Sequence, residues 1–375
     1  MIPIAKPYLT KDETKNVEKT IISGWVTQGP RVEEFEKAFA DYVGSSYAVA
    51  VTNCTAALHL CIIVAGIKEG DEVICPSMSF IATANCIEFV GAKPVFAETG
   101  TDYNLDIDHV ESLINKKTKA ILLVHQMGMP ADIDAFSSLC KKHDLILIED
   151  AACATGSQYK NKKIGSHSDL VCFSFHPRKV ITTGEGGMIT TSRKDFSERL
   201  RLLRQHAMSV NDRIRHTSGK VLTEEYTEVG YNYKMTDIHA AIGIMQLKKI
   251  DWIIEKRRAI ADKYFKGLSN TELLRLPVEK EGYFSNYQSF CMYIHKEANI
   301  NRDDLMQKLL DKGIASRRGI MTAHREPAYV NRYGNISLPV TEDLCERSII
   351  IPLHIEMTDK ETEYVISCIR ELISE

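Results

Sequence analysis

Ser174-Phe175-His176-Pro177-Arg178-Lys179-Val180-Ile181-Thr182-Thr183-Gly184-Glu185-Gly186-Gly187 is the stretch on which the reading of this chain turns. The residues leading into it, Asp169 to Phe175, are apolar and β-prone, which predicts a strand buried inside an α/β sheet. Lys179 falls just past the end of that strand, where open α/β sheets bind their ligands, and a glycine-rich turn follows. Desolvation at such a place strips a lysine of its proton and makes it an amine nucleophile toward aldehydes. A lysine considered alone is a solvated surface charge, so the assignment depends on what else converges on this one.

Two other runs do. Leu145-Ile146-Leu147-Ile148-Glu149-Asp150-Ala151-Ala152-Cys153-Ala154-Thr155-Gly156 reads as a buried strand ending in carboxylates, followed by small residues that permit close packing. Asp150 is either a helix N-cap or the counter-ion that keeps a pyridinium nitrogen protonated; Lys179 in the same sheet favours the second. Tyr47-Ala48-Val49-Ala50-Val51 then Thr52-Asn53-Cys54-Thr55-Ala56-Ala57 predicts a strand feeding a helix. The free N–H groups and dipole of that helix terminus suit a phosphate, and capping by Asn53 or Thr55 is compatible with it. No P-loop or GxGxxG accompanies the run, so the phosphate belongs to a small ligand rather than to a mononucleotide in a glycine loop.

From about 33 to 205, apolar strand-like runs alternate with helical stretches: Glu72 to Cys75, Pro94 to Phe96, Ala120 to Val124 and Leu145 to Ile148, with a helix over 132–143. That alternation predicts an α/β fold with a mainly parallel sheet covered by helices on both faces. An N-terminal arm with one helix precedes it. A long helix over 235–268 and a smaller α+β domain follow, giving expected domains at 1–245 and 246–375. The 375 residues suit two cores.

The composition, 44% apolar and 26% charged with a formal charge of −3, leaves no basic excess for nucleic acid or an anionic membrane. No apolar run reaches the roughly 20 residues of a membrane span, and Met1 to Lys6 lacks the apolar core of a signal peptide. Ten cysteines without CxxC pairs read as reduced thiols of a cytoplasmic protein. The histidines are scattered, so no metal site is expected.

The ordered blocks Asn53 to His59, Pro76-Ser77-Met78-Ser79-Phe80-Ile81-Ala82-Thr83-Ala84-Asn85, Glu149 to Ala152, Ser174 to Gly187 and Gly230-Tyr231-Asn232-Tyr233-Lys234-Met235-Thr236-Asp237 together resemble the DegT-type sugar aminotransferases. These are pyridoxal phosphate enzymes of the fold-type-I aspartate aminotransferase architecture, with a large domain around a seven-stranded sheet. The resemblance implies that Lys179 holds the cofactor as a Schiff base and shuttles the substrate proton. It also implies that Asp150 pairs with the ring nitrogen and that Thr55, the Ala56 backbone and Ser174 hold the phosphate. Phe80 would stack on the ring, and Asn232 would reach the neighbour's phosphate across a homodimer with shared active sites. Cys153 stands where the family usually carries a larger polar residue near the ring hydroxyl. Thr27, Arg318 and His324 are the expected substrate contacts.

The activity so implied is transfer of an amino group from glutamate to a keto-sugar, most naturally a nucleotide-linked hexose, through pyridoxamine phosphate. An acceptor that is a small phosphorylated ketone or aldehyde stays open. His125-Gln126-Met127-Gly128-Met129-Pro130 departs from the run usual in nucleotide-hexose members, and Arg317-Arg318 suits either phosphate. A dehydratase relative would carry histidine in place of Lys179. A sensor that binds the cofactor without turnover would have no need of Lys179, Asp150 and Ser174 together.

Overall fold

The computed structural model describes residues 1–210 and 218–374. Seven strands form the main sheet: β1 (Tyr47–Val51), β2 (Glu72–Pro76), β3 (Lys93–Ala97), β4 (Thr118–Val124), β5 (Ile146–Asp150), β6 (Leu170–Ser174) and β7 (Gly187–Thr191). Their spatial order is β1-β7-β6-β5-β4-β2-β3. Pairs β6/β5, β5/β4, β4/β2 and β2/β3 are parallel, and β7 alone runs antiparallel to both of its neighbours. The C-terminal ends of β1, β2, β4, β5 and β6 therefore share one edge. β6 is wholly buried along its length, as its apolar sequence requires.

The reversal between β6 and β7 explains the glycine-rich turn. Gly187 opens β7 directly against the backbone at the start of the next helix, and a Cβ there would lie 2.5 Å from the Asn53 carbonyl carbon. No side chain fits. The loop between the strands closes on itself: Phe175 N–H donates to Gly186 O at 2.9 Å and Thr183 N–H to Phe175 O at 3.0 Å. Lys179 rides on a pinned loop.

Helices cover the sheet, among them α1 (Lys11–Ile22), α2 (Pro30–Val43), α3 (Cys54–Val64), α4 (Lys194–Leu203), α5 (Asp237–Leu247) and α6 (Ile250–Leu268). A second sheet, ordered β8-β9-β11-β10, is built from β8 (Leu274–Arg275), β9 (Phe290–Ile294), β10 (Arg317–Arg318) and β11 (Ser348–Ile351), and the C-terminal helix α7 (Asp359–Ser374) packs with it.

Two expectations about organisation change. The single helix over 235–268 is two, α5 and α6, broken at Lys248 and Lys249. The passage between cores falls inside α6 rather than at residue 245: Ile250, Ile253 and Ile254 join the core under the main sheet, whereas Ile260, Ala261, Tyr264 and Leu268 join the second core. The chain start also belongs to the second core, because Ile2 packs there and exchanges backbone hydrogen bonds with Gly313 and Ala315. None of the described helices is long and apolar enough to cross a membrane.

Candidate active site

A cavity of about 820 Å³ opens at the shared edge of the main sheet. Its walls are the segments that leave β1, β2, β4, β5 and β6, closed from the other side by Gln288, Ser289 and residues 317–321. Thr55, Ala56, Phe80, Asp150, Cys153, Ser174, Lys179 and Arg318 all line it. Residues far apart in sequence meet here because parallel strands deliver their C-terminal ends to one side.

Asp150, the last residue of β5, is 5% exposed. Its Oδ1 accepts the Ala152 N–H at 3.0 Å and its Oδ2 accepts the Thr83 hydroxyl at 3.0 Å. Burial raises its pKa, and the Ala152 N–H, Lys179 and Thr83 offset this only in part. The carboxylate is thus short of positive charge. Beneath it, the Ala131 N–H donates to His125 Nδ1 at 3.0 Å, so the ring carries its proton on Nε2 and gives it to Glu149 at 2.8 Å. His125 and Glu149 are completely buried, and the His125 N–H also bonds to the Asp150 carbonyl at 3.1 Å. This pair holds the end of β5 in place.

Lys179 Nζ donates to Cys153 Sγ at 3.1 Å. Burial alone lowers its pKa, but Cys153 and Asp150 outweigh burial and the net direction is upward. The desolvated, neutral lysine expected from sequence is therefore overridden by the acidic side chains that face it. At the head of α3, Asn53 Oδ1 caps the Ala56 N–H at 2.9 Å. Ala56 lines the cavity, yet its N–H is already engaged, while the N–H groups of Cys54 and Thr55 have no intrahelical acceptor by position. Ser174 ends β6 beside them, and Phe80 stands 67% exposed in the wall.

Three expected contacts lie elsewhere. His324 is 1% exposed and outside the cavity lining, its Nε2 against Glu342 at 3.2 Å and its Nδ1 against Ser77. Its place is in the packing behind the wall. Thr27 is exposed and contributes only its carbonyl, which accepts the Asp237 N–H at 2.9 Å. Asn232 is exposed and pairs with Gln205 through backbone, away from its own chain's cavity.

The stretch 317–329 is structured: Arg317 and Arg318 form β10, and a helix, Pro327–Tyr333, begins within it. Arg317, read from sequence with Arg318 as a phosphate-suited pair, lines the cavity beside it, and so does Arg178, which the sequence reading did not single out. Burial, and then the positive charge of Arg178, lowers the Arg317 pKa. Thr83 was missed too, although it sits within a quoted block; its signal was a hydroxyl one helical turn past Phe80.

The sequence pattern of the DegT/DnrJ/EryC1/StrS aminotransferase family matches residues 7–370. The chain belongs to that family. It is 36% identical to the uncharacterized protein MJ1066 of Methanocaldococcus jannaschii, across 100% of this chain and 98% of that one. Among solved structures it is similar to Spr1654 of Streptococcus pneumoniae, assigned as a sugar aminotransferase, in its PMP form (TM-score 0.95, 28% identity, 100% of this chain and 99% of that one). It is also similar to PseC of Helicobacter pylori, an aminotransferase involved in the biosynthesis of pseudoaminic acid (TM-score 0.93, 28% identity, 100% and 99%).

The protein is accordingly a PLP-dependent aminotransferase of the fold-type-I architecture. The donor set fits the cofactor: a buried carboxylate short of positive charge, a lysine amine in the same cavity, and a strand-to-helix turn with free N–H groups beside a serine hydroxyl. When bound, the cofactor supplies an electron sink for the substrate carbon. The residues of this aminotransferase do the rest. With the cofactor in place, Asp150 would present its carboxylate at a fixed point, Lys179 Nζ would hold and move a proton, and the Asn53–Thr55 turn with Ser174 would orient an anion.

Proposed function

We propose that this aminotransferase moves an amino group from glutamate to a keto-sugar, most naturally a nucleotide-linked hexose, in carbohydrate biosynthesis in the cytoplasm. Lys179 acts as the Schiff-base and proton-shuttling residue, and Asp150 as the partner of the ring nitrogen. Thr55, Ser174 and the α3 terminus hold the phosphate, Phe80 stacks on the ring, and Cys153 lies toward the ring hydroxyl. The cofactor-binding domain runs into α6 and the smaller domain follows, with core membership changing between Ile254 and Ile260. The observation that carries the substrate reading is that Arg178, Arg317 and Arg318 all line the cavity, with Arg178 near enough to Arg317 to act on its charge. Among the described residues, the carboxylate paired with any of them is Glu326, 4.0 Å from Arg318. Three guanidinium groups with so little compensation suit a phosphate-bearing substrate. The cavity volume lies within the ~300–1,000 Å³ of small-molecule sites, and the sugar assignment of Spr1654 supports the acceptor class.

The assembly is a homodimer in which each site borrows Asn232 from the partner; exposed Ile22 (78%), Phe89 (55%) and Val229 (84%) supply apolar surface for it. A panel of keto-sugar nucleotides and small phosphorylated ketones, each with glutamate as donor, tests the reading. Turnover of the sugar nucleotides supports it. Turnover confined to the small ketones transfers the arginine wall to that second acceptor class.

A further inference from the structure

A smaller chamber of about 180 Å³ lies beside the main cavity, where the β8–β9 side of the second sheet meets the main-sheet domain. Gln126, Met127 and Ser289 line both spaces and form the partition between them. Inside the chamber the Arg275 guanidinium stands 4.3 Å over the Tyr293 ring. Its Nη2 is shielded from solvent and meets no hydrogen-bond acceptor. The other charged groups lining the chamber are Lys280 and Asp102, which pair with each other at 2.9 Å. Two cations against one carboxylate leave one positive charge, and it resides on Arg275. Nearby hydroxyls are already engaged: Tyr103 with Ser348 at 2.9 Å, and Tyr293 with Asp343 at 2.7 Å. A shielded guanidinium nitrogen without an acceptor costs stability unless a ligand supplies the anion.

The partition has an unusual backbone. Met127 is held at φ 56°, a left-handed conformation unusual for a side-chain-bearing residue. Gly128 follows because a Cβ there would fall 1.9 Å from Asn286 Oδ1. Asn286 is fastened by its Nδ2 to the carbonyls of Cys153 and Thr155, each at 2.9 Å. The backbone of the partition is thus tied to the segment that carries Cys153. The residue it places between the spaces is an unbranched, adaptable methionine.

We propose that the chamber is a carboxylate subsite of the active cavity, with Arg275 as its anchor, and that it receives the distal carboxylate of the dicarboxylic amino donor past Met127. The donor part rests on the reading given under Proposed function. The same chemistry would serve a free small dicarboxylate, and the experiment separates the two sources.

Conversion of the PLP form of the holoenzyme to its PMP form is followed by absorbance with glutamate, glutamine and alanine, in wild type, Arg275→Gln and Arg275→Lys. Arg275→Gln raises the KM for glutamate by about tenfold or more, leaves glutamine and alanine unchanged, and Arg275→Lys recovers part of the loss. In parallel, binding of glutarate, which has no amine to give, is measured by calorimetry. Wild type binds it in competition with glutamate, and Arg275→Gln binds it about tenfold or more weaker. Glutarate binding that depends on Arg275 without competing with glutamate supports the subsite with a free anion as its occupant and overturns the donor assignment. Unchanged glutarate binding in Arg275→Gln, or equal loss with all three donors, overturns the subsite. A wild type that accepts no amino acid refutes the donor reading alone, since the glutarate measurement still decides the chamber.

Discussion

At the scale of single residues, the site is an electrostatic arrangement that its sequence only outlines. Lys179 and Asp150 sit in one cavity, but each perturbs the other: the carboxylate raises the lysine pKa although burial pulls it down. A cation supplied to Asp150 relieves that hold, so the lysine depends on what Asp150 faces. Replacing Asp150 by Asn preserves its shape and removes its charge. The expected result is a loss in kcat on the order of 10² or more, and near-normal kcat reduces Asp150 to a structural cap. Borohydride reduction of the PLP-loaded enzyme, followed by peptide mapping, should place the adduct on Lys179, and Lys179→Ala should bind cofactor without turnover. An adduct on another lysine refutes the assignment. Asp150, Lys179 and Ser174 were legible because each ends or follows an apolar strand. The His125–Glu149 pair was not, because neither sequence neighbourhood reveals that β4 and β5 lie side by side.

At the scale of elements, the edge strand β1 shows how one side chain finishes a sheet. Glu36 of α2 is 3% exposed; it accepts the Ala50 N–H at 2.9 Å and bonds Arg201 at 2.5 Å and Arg204. The two arginines then donate to the Ala48 and Ala50 carbonyls at 2.7 Å each. The clasp occupies the backbone groups that β1 would otherwise leave open, and it fixes the strand that leads into the phosphate-binding turn. Burial acts to raise the Glu36 pKa, but Arg204 and Arg201 overcome it and the net direction is downward. Glu36→Ala leaves Arg204 buried and unpaired, and urea unfolding should report a loss of about 3–5 kcal/mol. A change below about 0.5 kcal/mol would show that the clasp is dispensable. The break between α5 and α6 was invisible in sequence for the opposite reason. Lys248 and Lys249 are ordinary helix formers, and the break coincides with a long-range contact, Lys249 Nζ to Glu13 at 2.7 Å and Thr10 at 2.6 Å.

At the scale of the whole molecule, that same contact ties α1 to the link between the two cores. Burial would raise the Glu13 pKa, but Lys249, Gln246 and Thr10 together lower it from 4.5 to about 2. A depressed carboxylate adds stability above its unfolded value, and that share is lost as the pH falls from 4.5 toward 2. The urea midpoint of wild type should therefore fall across this window. Glu13→Gln should flatten the fall by on the order of 1 kcal/mol, the solvent-screened worth of such a pair. Identical pH profiles would show that the bridge contributes nothing. For the proposed dimer, mixing Asn232→Ala with Lys179→Ala under subunit exchange should restore activity, because one hybrid site then has both residues intact. Demonstrated exchange without recovery places Asn232 within its own chain.

What the amino-acid sequence determined by itself is what local chemistry can encode. Apolar runs named the strands, a small-residue turn named the anion-binding helix terminus, and strand-end charges named Lys179 and Asp150. Only the tertiary structure decided what depends on long-range approach. It removed His324 from the cavity wall by packing it against Ser77 and Glu342. It gathered Arg178 with Arg317 and Arg318 from either side of the cavity. It sent the chain's first residues into the second core, and it left the Arg275 Nη2 shielded without an acceptor. The physical reason is common to all four. Hydrophobic periodicity is set by neighbours along the chain, whereas the partner of a charge is set by which surfaces meet when the sheets and helices pack.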